Sequence, residues 1–136
     1  MKLSAAAEYA IRGILVLAER YGQGPVTLDE VCARRGLQKQ KQYLTKLFAL
    51  LSRSGLIQPV RGKGGGYMLA KPPPEISLLN VIESIEGTLI LNFCQSTPPQ
   101  CEELSCNIRI VWDDLQKTMR SKLQAVTLKD CLSGPA

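Results

Sequence analysis

Cys94, Cys101 and Cys106 fall in one short stretch, with six and four residues between them. Thiolates this close in sequence can converge on one metal centre, and soft sulfur selects iron–sulfur clusters, zinc or copper. The intervals differ from the paired two-residue spacings of zinc ribbons. Metal-free redox thiols are the competing chemistry. The stiff Thr97-Pro98-Pro99 run would lower the entropy cost of holding a ligand loop. Cys32 lies on the apolar side of a short helical stretch and reads as a core residue. Cys131, near the C-terminus, reads as core or incidental. Five cysteines cannot all pair within one chain, so a disulfide framework is not expected. The chain holds no histidine. The usual general base and the commonest metal ligand are therefore missing, which counts against Ser-His and Cys-His catalysis and against an enzyme.

A second chemistry lies in the basic half. Residues 1–71 hold 12 Lys and Arg against 4 Asp and Glu, a net +8, whereas residues 72–136 hold 5 against 8, a net −3. This asymmetry suits a polyanion-binding module joined to something else. Gln38-Lys39-Gln40-Lys41-Gln42-Tyr43 opens a helical stretch with long hydrogen-bonding and cationic side chains, which suit base edges and phosphates in a major groove. A solvated helix start uses the same residue types. Arg61-Gly62-Lys63-Gly64-Gly65-Gly66 is a basic glycine ribbon. Glycine lets backbone approach a sugar–phosphate wall, and arginine can enter a narrow minor groove. A nucleotide phosphate loop would need a helix directly after the glycines. Tyr67-Met68-Leu69 reads as a strand instead.

The elements that must position these groups follow from periodicity and punctuation. Tyr9, Ala10, Ile14, Leu17 and Ala18 recur at helical spacing from Ser4 to about Tyr21, and Gly22 to Pro25 stops the helix. Thr27 with Glu30 is a capping box opening a short helix to Arg35. Gly36 makes a turn, and a second helix runs to about Ser52 on Tyr43, Leu44, Leu47, Phe48 and Leu51. Two helices across a tight turn, followed by strand, glycine turn and strand, describe a winged helix-turn-helix. Lys71 to Glu75 forms a stiff connector, and Ser77 caps a helix to about Glu86. Asn92 to Ser105 is a loop. A long helix then reaches about Ala125, with Ile108, Val111, Trp112, Leu115, Met119 and Leu123 in one stripe suited to a dimer interface. Thr127 with Asp130 caps a short last helix. The expected fold is mainly α with a small β-wing. Residues 1–71 form the DNA-binding region, and residues 72–136 hold the connector helix, cysteine loop and dimerisation helix. No stretch approaches a membrane span. Glu8, Arg12 and Glu19 interrupt the apolar region an export signal would need, so a cytoplasmic location is expected.

Three blocks together resemble the Rrf2 family of bacterial regulators, in particular its IscR- and NsrR-like iron–sulfur branches. They are Met1-Lys2-Leu3-Ser4 leading into Tyr9-Ala10-Ile11-Arg12, the Tyr43-Leu44 to Leu47-Phe48 helix, and Arg61 to Tyr67. The cysteine loop and Thr127-Leu128 match as well. The resemblance implies a homodimer that reads a double-stranded DNA operator, as repressor rather than activator. It also implies a cluster, 4Fe–4S in preference to 2Fe–2S, on Cys94, Cys101 and Cys106, whose state controls DNA affinity. It places Tyr43 and Lys46 in the major groove and Arg61 in the minor groove. Ser4, Lys39, Gln40, Lys41, Gln42, Arg53, Gly62 and Lys63 complete the expected DNA-contact set. Two departures stand out. The stretch from Gly36 to Tyr43 is longer than in the IscR-like pattern, and Arg109 stands where that branch has a histidine ligand. By the NsrR-like pattern, Glu8 of a partner subunit would be the fourth ligand. The alternatives are a cluster-free thiol or zinc regulator on the same fold, or a small iron–sulfur or thiol enzyme.

Overall fold

The structure, a computed structural model, describes residues 2–98, 100–103 and 105–133, so Pro99 of the Thr97-Pro98-Pro99 run lies outside it. Helix α1 (Ala5–Glu19) begins at Ser4, whose hydroxyl accepts from the Ala7 amide at 3.1 Å. It buries Ala7, Ala10, Gly13, Ile14, Val16, Leu17 and Ala18. The small residues among them let neighbouring helices come close. At Gly13 a Cβ would stand 2.8 Å from Cε1 of the fully buried Phe48 ring, so glycine is what permits that contact.

Helix α2 (Leu28–Arg35) is capped by Thr27, which accepts from the Glu30 amide at 3.2 Å. The expected return arm of that capping box is not made. The Glu30 carboxylate pairs with Arg20 instead, tying α2 to the end of α1. Gly36 closes α2 at φ 65°, a left-handed conformation that glycine adopts without a Cβ penalty. The single helix expected from Gln38 is divided. Residues Gln38–Gln40 form a 3-10 turn, and α3 (Lys41–Arg53) starts only afterwards. The cause is Leu37, which is buried at 1% exposure and anchors the chain to the core just before the helix. The tight turn then swings Leu44, Leu47, Phe48 and Leu51 onto the same core.

Strands β1 (Ile57–Val60) and β2 (Gly66–Leu69) pair antiparallel, with Ile57 opposite Leu69 and Val60 opposite Gly66. Val26 bonds both ways with Tyr67, at 2.8 Å each, and so holds the wing against the entry to α2. The Tyr67 ring meets Phe48 edge-on at 5.0 Å.

After a 3-10 turn at Pro73–Glu75, α4 (Leu78–Glu86) starts with a complete Ser77/Asn80 capping box. The cysteine loop holds one more 3-10 turn, Phe93–Gln95. Helix α5 spans Asn107–Ala125, and α6 (Leu128–Ser133) opens on the expected Thr127/Asp130 box, both of whose arms are formed. The Thr127 amide and hydroxyl both donate to the Asp130 carboxylate, at 2.9 and 3.0 Å, and hold that carboxyl below its ordinary range. The main core runs through α1, α2, α3 and the wing and takes in Ile76, Val81 and Leu128. A smaller cluster of Leu79, Ile82 and Leu89 receives Met119 and Leu123 of α5.

Gly13→Ala should lower unfolding stability by about 1–3 kcal/mol, because the α1–α3 contact leaves no room for the added methyl. Chemical denaturation checks this, and an unchanged midpoint would show that the Phe48 ring yields freely.

Candidate nucleic-acid interface and thiol pocket

On α3 the buried Leu44, Leu47, Phe48 and Leu51 fix which side faces outward. At about 100° per residue, Gln42, Lys46, Ala49 and Arg53 line up on the opposite side, and all four are exposed. Thr45 is also exposed, and its hydroxyl donates back to the Lys41 carbonyl at 3.0 Å. Tyr43 flanks this stripe, 44% exposed, and meets Tyr9 of α1 edge-on at 6.3 Å. Its ring is therefore propped by α1 and its outer edge is open.

The remaining members of the expected contact set are placed differently. Lys39 is exposed on the 3-10 turn and Gln40 is half-buried. Lys41 pairs with Asp29 of α2, and that hydrogen bond holds its ammonium above the usual lysine range. Ser4 is exposed, but its hydroxyl is occupied as the α1 cap, and its amide donates to Glu86 at 3.0 Å.

Arg61, Gly62 and Lys63 stand exposed at the tip of the wing. The turn needs glycine twice over. Gly62 and Gly64 have φ of 96° and 78°, and a Cβ on Gly65 would lie 2.1 Å from the Val60 carbonyl oxygen. The tight ribbon carries its two cations outward on a backbone that has no side chain to block close approach.

The three cysteines line one pocket of about 180 Å³. Cys94 sits in the 3-10 turn at 8% exposure, Cys101 is half-buried in the loop, and Cys106 begins α5. Glu103, Arg109 and Trp112 share the lining with Asn92, Phe93 and Ile108. Cys106 occupies the N-terminal end of a 19-residue helix, where unpaired amides and the helix dipole favour negative charge. Among the described residues no three His, Cys, Asp or Glu come together tightly enough to hold a single metal ion. A single zinc needs every sulfur within ~2.3 Å of one point. A polynuclear cluster gives each sulfur its own iron and so accepts donors spread around a pocket. Three sulfurs spread around one small cavity fit the latter group.

A polar web anchors this loop. Gln95, next to Cys94, donates to Asp113 at 3.0 Å and Gln116 at 3.1 Å on α5, while its carbonyl accepts from the Leu91 amide at 2.9 Å. Gln116 in turn donates to the Leu89 carbonyl at 2.8 Å, and the Leu89 amide donates to Glu83 of α4 at 2.8 Å. Glu83 also pairs with Arg120 of α5. Sequence reasoning missed this web, since isolated Gln and Asp residues carry no periodic signal. It also passed over Glu103, although a carboxylate between two candidate ligands was visible.

The stripe expected on α5 is divided between two jobs. Met119 and Leu123 are partly buried within the same chain against Leu79, Ile82 and Leu89. Ile108 is 57% exposed, Val111 53% and Leu115 47%, and they leave one apolar edge of the helix uncovered. Trp112, half-buried, turns toward the thiol pocket. Glu8 is exposed in the first turn of α1 and does not line the pocket of its own chain. Cys32 is buried in the main core, as expected, and Cys131 is half-buried on α6.

Known proteins resemble the chain over nearly its full length. Residues 3–134 match the Rrf2 family, described as "Iron-dependent Transcriptional regulator". The HTH-type transcriptional regulator IscR of Serratia proteamaculans is 31% identical over 134 residues, covering 98% of this chain and 80% of that protein. Among solved structures, T. potens IscR aligns with a TM-score of 0.76 at 33% identity, over 98% of this chain and 87% of its own. CymR, the global cysteine regulator of B. subtilis, aligns with a TM-score of 0.82 at 25% identity, over 100% and 99%. Among the described residues no helix is long and apolar enough to cross a membrane.

Thiol alkylation of the metal-free native protein should modify Cys101 and Cys106 well before Cys32 and Cys131. Cys32 is in the core, and desolvation raises the thiol pKa at both Cys32 and Cys131, leaving less thiolate to react. Peptide mapping of a time course reads the order. Early labelling of Cys32 would contradict the packing of α2.

Proposed function

The chain belongs to the Rrf2 family and is a transcriptional regulator of the IscR- and CymR-like kind, and from that premise we propose that it is a homodimeric, iron–sulfur-sensing repressor. The observation that carries the sensing half is the gathering of Cys94, Cys101 and Cys106 around one small pocket. Those three residues would hold the cluster, 4Fe–4S in preference to 2Fe–2S. When bound, it supplies a centre that oxygen, nitric oxide or iron shortage can damage or remove. Arg109 stands by as a fixed cation against the negative charge of the thiolates. Residues 1–71 carry the DNA face and residues 72–136 the pocket and pairing helix.

The DNA-reading half rests on the outward stripe of α3 and on the wing. Gln42, Tyr43 and Lys46 face the major groove, with Lys39, Gln40 and Arg53 beside them. Arg61 and Lys63 reach the adjacent backbone or minor groove across Gly62. Lys41 contacts DNA only by leaving Asp29, and Ser4 contributes from the α1 cap. Two such units, joined through the uncovered α5 edge of Ile108, Val111 and Leu115, would read half-sites one helical turn apart. Pairing sets the spacing, so a small shift of α5 changes affinity strongly.

A second reading, a metal-free thiol regulator, is favoured by the close match to CymR, a cysteine regulator. The two separate on anaerobic purification followed by titration of the chain's own promoter region. Brown protein with about four irons per chain, whose DNA affinity changes when the iron is removed, supports the cluster. Colourless protein that binds operator with full affinity after anaerobic reconstitution defeats it.

Arg61→Ala should weaken operator binding and flatten its salt dependence by about one unit of log–log slope. Gel-shift titrations across a salt series measure both. An unchanged slope would remove the wing from the interface.

A further inference from the structure

We propose that Glu103 supplies the fourth ligand to the cluster held by Cys94, Cys101 and Cys106, from within the same chain. This rests on the cluster reading above and deepens it. Three cysteines leave one iron of a four-iron cluster without a protein ligand, and the pocket lining offers few candidates. The Arg109 guanidinium has no lone pair to give. Phe93, Ile108 and Trp112 carry no donor, and the Asn92 amide oxygen already accepts from the Phe93 amide at 2.9 Å. Glu103 is the one carboxylate in that lining. Among the described residues it makes no hydrogen bond and no ion pair, unlike Glu83 and Glu86, which are committed elsewhere.

Chain connectivity strengthens the assignment. Glu103 lies two residues after Cys101 and three before Cys106. Once both cysteines are bound, the carboxylate is confined beside the remaining iron, and closing so short a loop costs little further entropy. Glu8, exposed on α1 and outside this pocket, can serve only from a second copy, whereas Glu103 already lines the cavity of its own chain. Arg109 offsets the added negative charge. A carboxylate is a hard donor on a site of soft ones. Its iron would therefore be the exchangeable corner, and Glu103 is exposed, so small ligands reach it directly.

The test compares anaerobically reconstituted wild-type protein with Glu103→Ala, Glu103→Cys and Glu8→Ala, all as the full chain. Mössbauer spectra of iron-57-loaded protein report whether one iron differs from the rest, and a chelator time course reports how firmly iron is held. Glu103→Ala should change the signature of the distinct iron and speed chelator-driven loss several-fold. Glu103→Cys should remove the distinction and slow the loss below wild type, and Glu8→Ala should change neither. Because Glu103 is exposed, these variants should fold, which circular dichroism checks. Wild-type signatures in Glu103→Ala, with the distinct iron lost in Glu8→Ala, would overturn the assignment and move the ligand to the partner. Failure of wild-type protein itself to take up iron would instead overturn the cluster reading on which the assignment stands.

Discussion

Everything in the molecule is hung on the buried face of α1. That helix lies against α2, α3, α4, α6 and the wing, so its position sets theirs. It can do so because its buried face is built largely of small residues, Ala7, Ala10, Gly13 and Ala18, beside Ile14, Val16 and Leu17. The Phe48 ring sits almost on the α1 backbone at Gly13, and on its other side it meets Tyr67 of the wing. One aromatic side chain therefore joins α3, α1 and the wing in a single packed unit. Such close packing does not deform gradually.

The thiol loop is connected to this unit through few residues. Gln95 follows Cys94 directly and is bonded to Asp113 and Gln116, and the web continues through Leu89 to Glu83 and Arg120. α4 carries Glu83 on one side and packs on α1 and α3 with the other. A change in how Cys94 is held thus bears first on α5 and α4, ahead of the DNA face. Differential bonding of this web in the loaded and empty states is what any coupling between cluster and operator would require.

Much of this was legible in the chain because periodicity and caps are local signals. The Ser77 and Thr127 caps, the α3 set of Leu44, Leu47, Phe48 and Leu51, the glycine wing and the burial of Cys32 all follow from residue type and spacing, whereas Tyr43, expected on the same apolar face, stands exposed beside Tyr9. The misread features depend on tertiary partners. The helix expected from Gln38 broke because Leu37 is claimed by the core. Glu30 left its capping box because Arg20, ten residues earlier in the chain, offered a charged partner. Met119 and Leu123 shared a stripe with Leu115, yet only a folded α4 decides which of them is covered. For the thiol site, the three cysteines were readable as a set, whereas Glu103 and Arg109 gain meaning only from sharing their pocket.

The uncovered edge of α5 and the thiol pocket share a residue, which would link assembly to sensing in the proposed dimer. Ile108 is more than half exposed on the edge formed with Val111 and Leu115, and it also lines the cavity of the three cysteines. An apolar row of that kind on a helix with no buried residue of its own is unfavourable in water and gains by being covered. In the proposed dimer the covering surface is the same row from a second copy, which is self-complementary about a twofold axis. Filling or emptying the cavity would then bear on Ile108 while the partner covers it. In that proposed dimer the pairing geometry would be set beside the three cysteines.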